Sequence, residues 1–224
     1  AQEDARRCSE ELVDVLVTIH AVDYNAVGLS DFGHPDGYLE RQVRRWGEQW
    51  ERSKTRELPA IDELARRLRA ALPESPPPTI VHGDYRLDNT MLDPTDAGRV
   101  VAVLDWEMAT LGDPLADVGL FLVYWARDDA VTVGATIDTS RGFMNRGEIV
   151  DRYAAESGRD VSQLDFYEAL ASYKLAIILE GIHARFLMGK TLGEGFDHIG
   201  NMVEVLVVGA LDQASRSSIP GLKG

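Results

Sequence analysis

The sequence predicts a mostly helical α+β fold with a small β-hairpin region in mid-chain. Three observations carry this. Apolar residues recur at helical spacing through the first 72 positions and again from residue 117 onward. Pro73 and Pro76–Pro78 break that pattern. Three short apolar runs separated by turn residues then occupy 79–104.

The elements follow in order. Residues 1–22 read as a helix, with Cys8, Leu12, Val15, Leu16 and Ile19 on one face. Residues 23–37 are rich in turn formers and read as a loop. Leu39, Val43, Trp46 and Trp50 line up on a second amphipathic helix, whose other face carries Arg41, Arg44, Arg45 and Glu48. A third spans about 60–72, with Ile61, Leu64, Ala65, Leu68 and Leu72 inward. Thr79–His82, Thr90–Asp93 and Arg99–Leu104 are expected as strands of one small sheet, the last two joined by the turn residues Pro94–Gly98. Residues 106–117 read as a loop, with Asp113 and Pro114 turning into a helix at 117. Helices are expected over about 117–126, 146–157, 162–188 and 196–213, with 128–145 a weakly patterned excursion. Met108, Met144, Met188 and Met202 are scattered and read as packing.

Composition narrows the function. The chain has 224 residues and a net charge of −14, an acidic balance that argues against a nucleic-acid partner and suits a cationic ligand or one bound through metal ions. The single cysteine, Cys8, excludes an internal disulfide or a thiolate zinc cluster and fits a reducing, cytoplasmic setting. No apolar run approaches the ~18 residues of a membrane helix, so no membrane partner is expected. His20, His34, His183 and His198 show no i, i+4 pairing that would suggest zinc.

Chemistry concentrates in 80–119, IVHGDYRLDNTMLDPTDAGRVVAVLDWEMATLGDPLADVG. A strand ends at His82, and Gly83 permits a tight turn that presents Asp84 on a loop. Asn89 lies just before the next strand, and Asp105 ends the strand after it. Strands of one hairpin end side by side, so the Asn89 amide oxygen and the Asp105 carboxylate can converge as hard ligands for Mg²⁺. Asp84 at the edge of that point is placed to take a proton from a hydroxyl. This is the geometry of phosphoryl transfer. A lone Asp after Gly is usually a turn residue; the joint pattern argues for more.

That pattern resembles the catalytic core of the aminoglycoside phosphotransferase and choline kinase-like family, small-molecule relatives of protein kinases. His82-Gly83-Asp84 and Asn89 look like its catalytic loop, and Asp105-Trp106 like its metal-binding aspartate. HGDYRLDN followed by VLDWEMATLGDPLADVG, with YKLAIILEGIHARFLMG at 173–189, is most similar to the branch associated with acyl-CoA dehydrogenases. The resemblance implies the C-terminal lobe of a kinase-like fold and an ATP- or GTP-dependent kinase of a small hydroxylated substrate. Asp84 would be the catalytic base, and Asn89 and Asp105 would hold the magnesium ions on the nucleotide. His82 would be structural, and Asp117 a buried acceptor for the backbone of the catalytic loop. Arg86 would neutralise the transferring phosphate or make a surface ion pair. Asp88 would cap the loop, and Glu107 would face either metal or solvent.

The chain shows no strand-rich stretch before residue 79, no G-x-G-x-x-G and no apolar-Ala-x-Lys strand. The expectation is therefore that 1–224 is one catalytic and substrate lobe, without the nucleotide lobe and nearly inactive alone. A non-catalytic binding or scaffold module on a kinase-like frame is the alternative. A metal-dependent hydrolase fits less well, because the donor set lacks histidines. In this family the acceptor lies against the later helices, which here offer Tyr124, Trp125, Arg127, Asp128, Asp129, Tyr173, Lys174, Glu180, His183 and Arg185. Tyr124 and Trp125 read as core, and Lys174, Glu180 and His183 as surface or structural. No dense acidic cluster marks an aminoglycoside site, and kinship points to a hydroxyacyl-type metabolite.

Overall fold

The structure is a computed structural model, and it describes residues 2–125, 137, 139–191 and 196–224. The elements are α1 (Gln2–His20), α2 (Tyr38–Ser53), α3 (Pro59–Ala70), β1 (Thr79–Val81), β2 (Thr90–Asp93), β3 (Asp96–Val103), β4 (Thr110–Gly112), α4 (Leu115–Tyr124), α5 (Arg146–Ser157), α6 (Leu164–Leu187) and α7 (Ile199–Arg216). The predicted mostly helical α+β architecture is the one observed. No described helix is long and apolar enough to cross a membrane. Arg127, Asp128 and Asp129 lie outside the described residues.

The chain divides into two compact units. The first comprises Ala1–Asp36 and Ser75–Ser162. Its α1 packs on β3, β1 and α5 through the predicted stripe, with Leu12, Val13 and Leu16 fully buried. Arg152 forks onto the Asp14 carboxylate at 2.7 and 2.6 Å, tying α5 to α1. A capping box starts α5: Asn145 Oδ1 accepts from the Glu148 amide, and Glu148 accepts in return from the Asn145 amide.

The strands correct one expectation. They form two separate antiparallel pairs rather than one sheet: β2 with β3, and β1 with β4. β4 lies inside the stretch expected to be loop, and α4 begins two residues earlier than predicted. A three-residue strand is too short to show alternation. It exists because β1, fully buried, needs partners for its backbone groups.

The second unit comprises Gly37–Glu74 and Gln163–Gly224. Its axis is α6, which packs on α2, α3 and α7. The line of apolar residues on α2 holds for Leu39, Val43 and Trp50, while Trp46 is only half-buried. Glu180, expected at the surface or in a structural place, is fully buried. Its Oε1 accepts from the Thr55 amide at 2.8 Å and hydroxyl at 2.6 Å, with the Arg56 guanidinium 3.5 Å from Oε2. Of the methionines read as packing, Met144 is buried, whereas Met108 and Met188 are exposed.

Candidate active site

The site residues all belong to the first unit. His82 follows β1, and Gly83 turns the chain with φ +84°. A Cβ at Gly83 would lie 2.8 Å from the Met108 carbonyl oxygen, so glycine is required both by φ and by space. Asp84 then emerges half-buried. A single 3₁₀ turn, Leu87–Asn89, delivers Asn89 to the start of β2.

Asn89 joins the two halves of the site. Its Nδ2 donates to the Asp84 backbone oxygen at 2.8 Å and to Asp84 Oδ2 at 3.0 Å. Its backbone oxygen accepts from the Leu104 amide at 2.8 Å, continuing the pairing of Thr90 with Val103. Asp105 is the next residue, exposed, with φ 65° and ψ 52°. It is the one non-glycine residue with positive φ among those described. A left-handed aspartate stores backbone strain of order 1 kcal/mol, which the surrounding fold must supply.

Two buried groups hold this geometry. The His82 ring, fully buried, accepts at Nδ1 from the Asp84 amide (3.2 Å) and donates from Nε2 to the Leu104 carbonyl (2.9 Å). Because the amide can only donate, the ring is neutral with its proton on Nε2. His82 thus clamps the loop of Asp84 to the strand end before Asp105. Asp117, fully buried on α4, accepts from the His82 amide at 2.6 Å and the Gly83 amide at 2.7 Å. Behind it, His20 Nε2 stands 3.3 Å from Asp117 Oδ2, and His20 Nδ1 stands 2.8 Å from the Tyr153 hydroxyl. Burial drives that hydroxyl far above its usual range. Tyr85, also fully buried, donates to the Leu12 carbonyl at 2.7 Å and pins the loop to α1.

Arg86 sits at the rim. It pairs with Asp88 at 3.2 Å, and its guanidinium carbon lies 4.6 Å from the centre of the Tyr124 ring. Asp88 is exposed in this ion pair. Trp125 is core as expected, but Tyr124 is half-buried beside Asp84. Burial first, then the Asp84 carboxylate, push the Tyr124 hydroxyl up to about 12. Glu107 is exposed.

The residues singled out by the sequence are therefore brought together around one loop. His20 and Tyr153 are not among the site residues the sequence marks, and Tyr124 is expected there as core. The histidine was considered only as a zinc ligand, and nothing local marks a side chain that closes on a residue 97 positions away. Among the described residues, no group of three or more His, Cys, Asp or Glu gathers to hold a metal. The donor set is instead one amide and one carboxylate. With Nδ2 committed to Asp84, Asn89 offers Oδ1, and Asp105 offers a solvent-facing carboxylate one residue past Asn89's cross-strand neighbour. An amide oxygen and a carboxylate are hard donors of the kind Mg²⁺ takes alongside water.

A loop braced by a buried aspartate and followed by a two-stranded hairpin, in a mostly helical chain, defines a kinase-like fold. The phosphotransferase enzyme family matches residues 1–158, and the chain belongs to that family. It is 36% identical over 217 residues to acyl-CoA dehydrogenase family member 11 of Rattus norvegicus, covering 93% of this chain and 28% of that protein. A candidate aminoglycoside phosphotransferase of Ralstonia eutropha has a solved structure with a TM-score of 0.82 and 32% identity, covering 95% of this chain and 67% of that one. Aminoglycoside 2′-phosphotransferase-IIIa, solved with GDP, shares the fold alone: TM-score 0.56 and 15% identity, over 94% of this chain and 64% of that one.

Proposed function

We propose that this chain is the catalytic and substrate-binding lobe of an ATP- or GTP-dependent phosphotransferase acting on a hydroxyl of a small molecule. The observation that carries the reading is the Asn89 side chain. Its nitrogen donates to the Asp84 carboxylate, and the Asn89 backbone oxygen accepts from the amide of Leu104, the residue before Asp105. Asp84 receives the proton of the acceptor hydroxyl as the acceptor oxygen bonds to phosphorus and the bond to the nucleotide's bridging oxygen breaks. Asn89 and Asp105 would hold Mg²⁺, which when bound offsets the charge on the nucleotide phosphates. Arg86, paired with Asp88 and stacked on Tyr124, exchanges Asp88 for the phosphoryl group. His82 and Asp117 keep the loop in place. In this reading turnover requires a nucleotide lobe of the kind that kinases place beside this one. Membership of the same family as an acyl-CoA dehydrogenase family member favours a hydroxyacyl-type acceptor over an aminoglycoside-like one.

The test is Mg²⁺-dependent turnover of ATP and GTP by the full-length protein. Asp84→Asn should lower kcat by ~10²–10⁴-fold, the usual weight of a general base. Asp105→Asn should raise the Mg²⁺ concentration required. Full turnover in both variants refutes the assignment and leaves a binding module on a kinase-like frame.

A further inference from the structure

The second unit contains a cleft of about 670 Å³ walled by α2 and α3 and floored by α6, within the size range of small-ligand sites. Its apolar lining is Val43, Trp50, Ala65 and Leu72, with Tyr173 from α6. Tyr173 is 1% exposed, yet its hydroxyl makes no hydrogen bond to any described residue. The hydroxyl faces Gly47, where a Cβ would stand 3.2 Å from the oxygen. Gly47 lies inside α2, where glycine costs a helix about 1 kcal/mol relative to alanine, so the missing side chain has to be offset by something. Here it leaves the hydroxyl open to the cleft. The rim carries Glu40, Glu48, Glu51 and Asp62 against Arg44 and Arg69, an excess of negative charge. Arg44 is turned to Glu48 at 3.7 Å, and Lys54 holds Glu51 at 3.0 Å.

We infer that this cleft binds a small amphipathic organic cation, its apolar body on Trp50 and Leu72 and its ammonium between the Tyr173 oxygen and the carboxylates of Asp62 and Glu51. An ammonium N–H in the cleft supplies a donor to the Tyr173 oxygen. The ammonium is met first by Asp62 and takes Glu51 in exchange for Lys54. Burial pushes that hydroxyl up to about 12, with Asp62 and Glu51 adding to the rise and Arg69 opposing it, so it stays protonated across the working range and accepts through its lone pairs. The same charges disfavour an anion. The inference does not depend on phosphoryl transfer, because none of these residues belongs to the loop of Asp84.

The test is calorimetric titration of the chain with three probes of one shape: 2-phenylethylammonium, neutral 2-phenylethanol and anionic 3-phenylpropionate. The cation should bind five- to tenfold more tightly than the alcohol, and the anion more weakly than either, with the preference shrinking in high salt. Tyr173→Phe should weaken the cation three- to tenfold, the worth of one hydrogen bond, while the melting temperature of the variant verifies the fold. Asp62→Asn with Glu51→Gln should erase the difference between cation and alcohol. Equal binding of all three probes, tighter binding of the anion, no binding of any, or an unchanged cation affinity in Tyr173→Phe each overturns the inference.

Discussion

Replacing Asp117 by alanine removes the acceptor beneath the loop of Asp84. In the native chain the carboxylate receives the His82 and Gly83 amides at 2.6 and 2.7 Å and faces His20 at 3.3 Å, with no solvent access. Hydrogen bonds to a charged group are worth ~1.5–3 kcal/mol each, and a buried donor left unpaired costs ~1–3 kcal/mol. Two orphaned amides together with a small cavity put the loss at about 3–5 kcal/mol. Asp117→Asn is the sharper probe, because it preserves shape. Its single oxygen satisfies one amide, and its NH₂ then confronts the other donor, for a loss of about 2–4 kcal/mol. Chemical denaturation gives the stability, and hydrogen exchange at the Gly83 amide reports whether the damage is local. If Asp117→Asn costs under 1 kcal/mol and leaves Gly83 protected, the carboxylate is not what holds the loop.

Two further outcomes follow from the backbone of the same site. At Asp105 the left-handed φ of 65° reverses the ordinary order of alanine and glycine: Asp105→Gly should be more stable than Asp105→Ala by about 1 kcal/mol, although both lose the carboxylate. Thermal melts of the pair check this, and the usual order, with alanine the more stable, would show that Asp105 is not strained. Gly83→Ala should lower stability by more than about 2 kcal/mol, since φ +84° is joined by a Cβ 2.8 Å from the Met108 carbonyl oxygen. A melt within a degree of the parent would refute that close approach.

Most of the candidate site was legible along the chain because its signals are local. His82, Gly83, Asp84 and Asn89 lie within one loop, and Asp105 follows through a hairpin whose turn residues set the return. Backbone pairing then carries Asn89 to Leu104, the neighbour of Asp105, without help from distant segments. Tyr124 was misread because an apolar helix run shows burial but not which side chain at its end turns toward a carboxylate. Glu180 reads from the sequence as surface or structural alike, because a buried acid declares itself only through its partners, here the Thr55 amide and hydroxyl 125 positions away.

The helices, the hairpin and the loop that bears Asp84 can be read along the chain, since helical periodicity, proline breaks and turn residues act over a few positions. Folding in three dimensions settles that β1 pairs with β4 rather than with the hairpin, that His20 reaches Asp117 across 97 positions and Tyr153 across 133, and that a helical glycine leaves the Tyr173 hydroxyl open to a cleft. The physical reason is that a buried polar group must find its partner wherever the folded chain brings one. That choice is made by mutual desolvation in three dimensions and leaves no trace in local spacing.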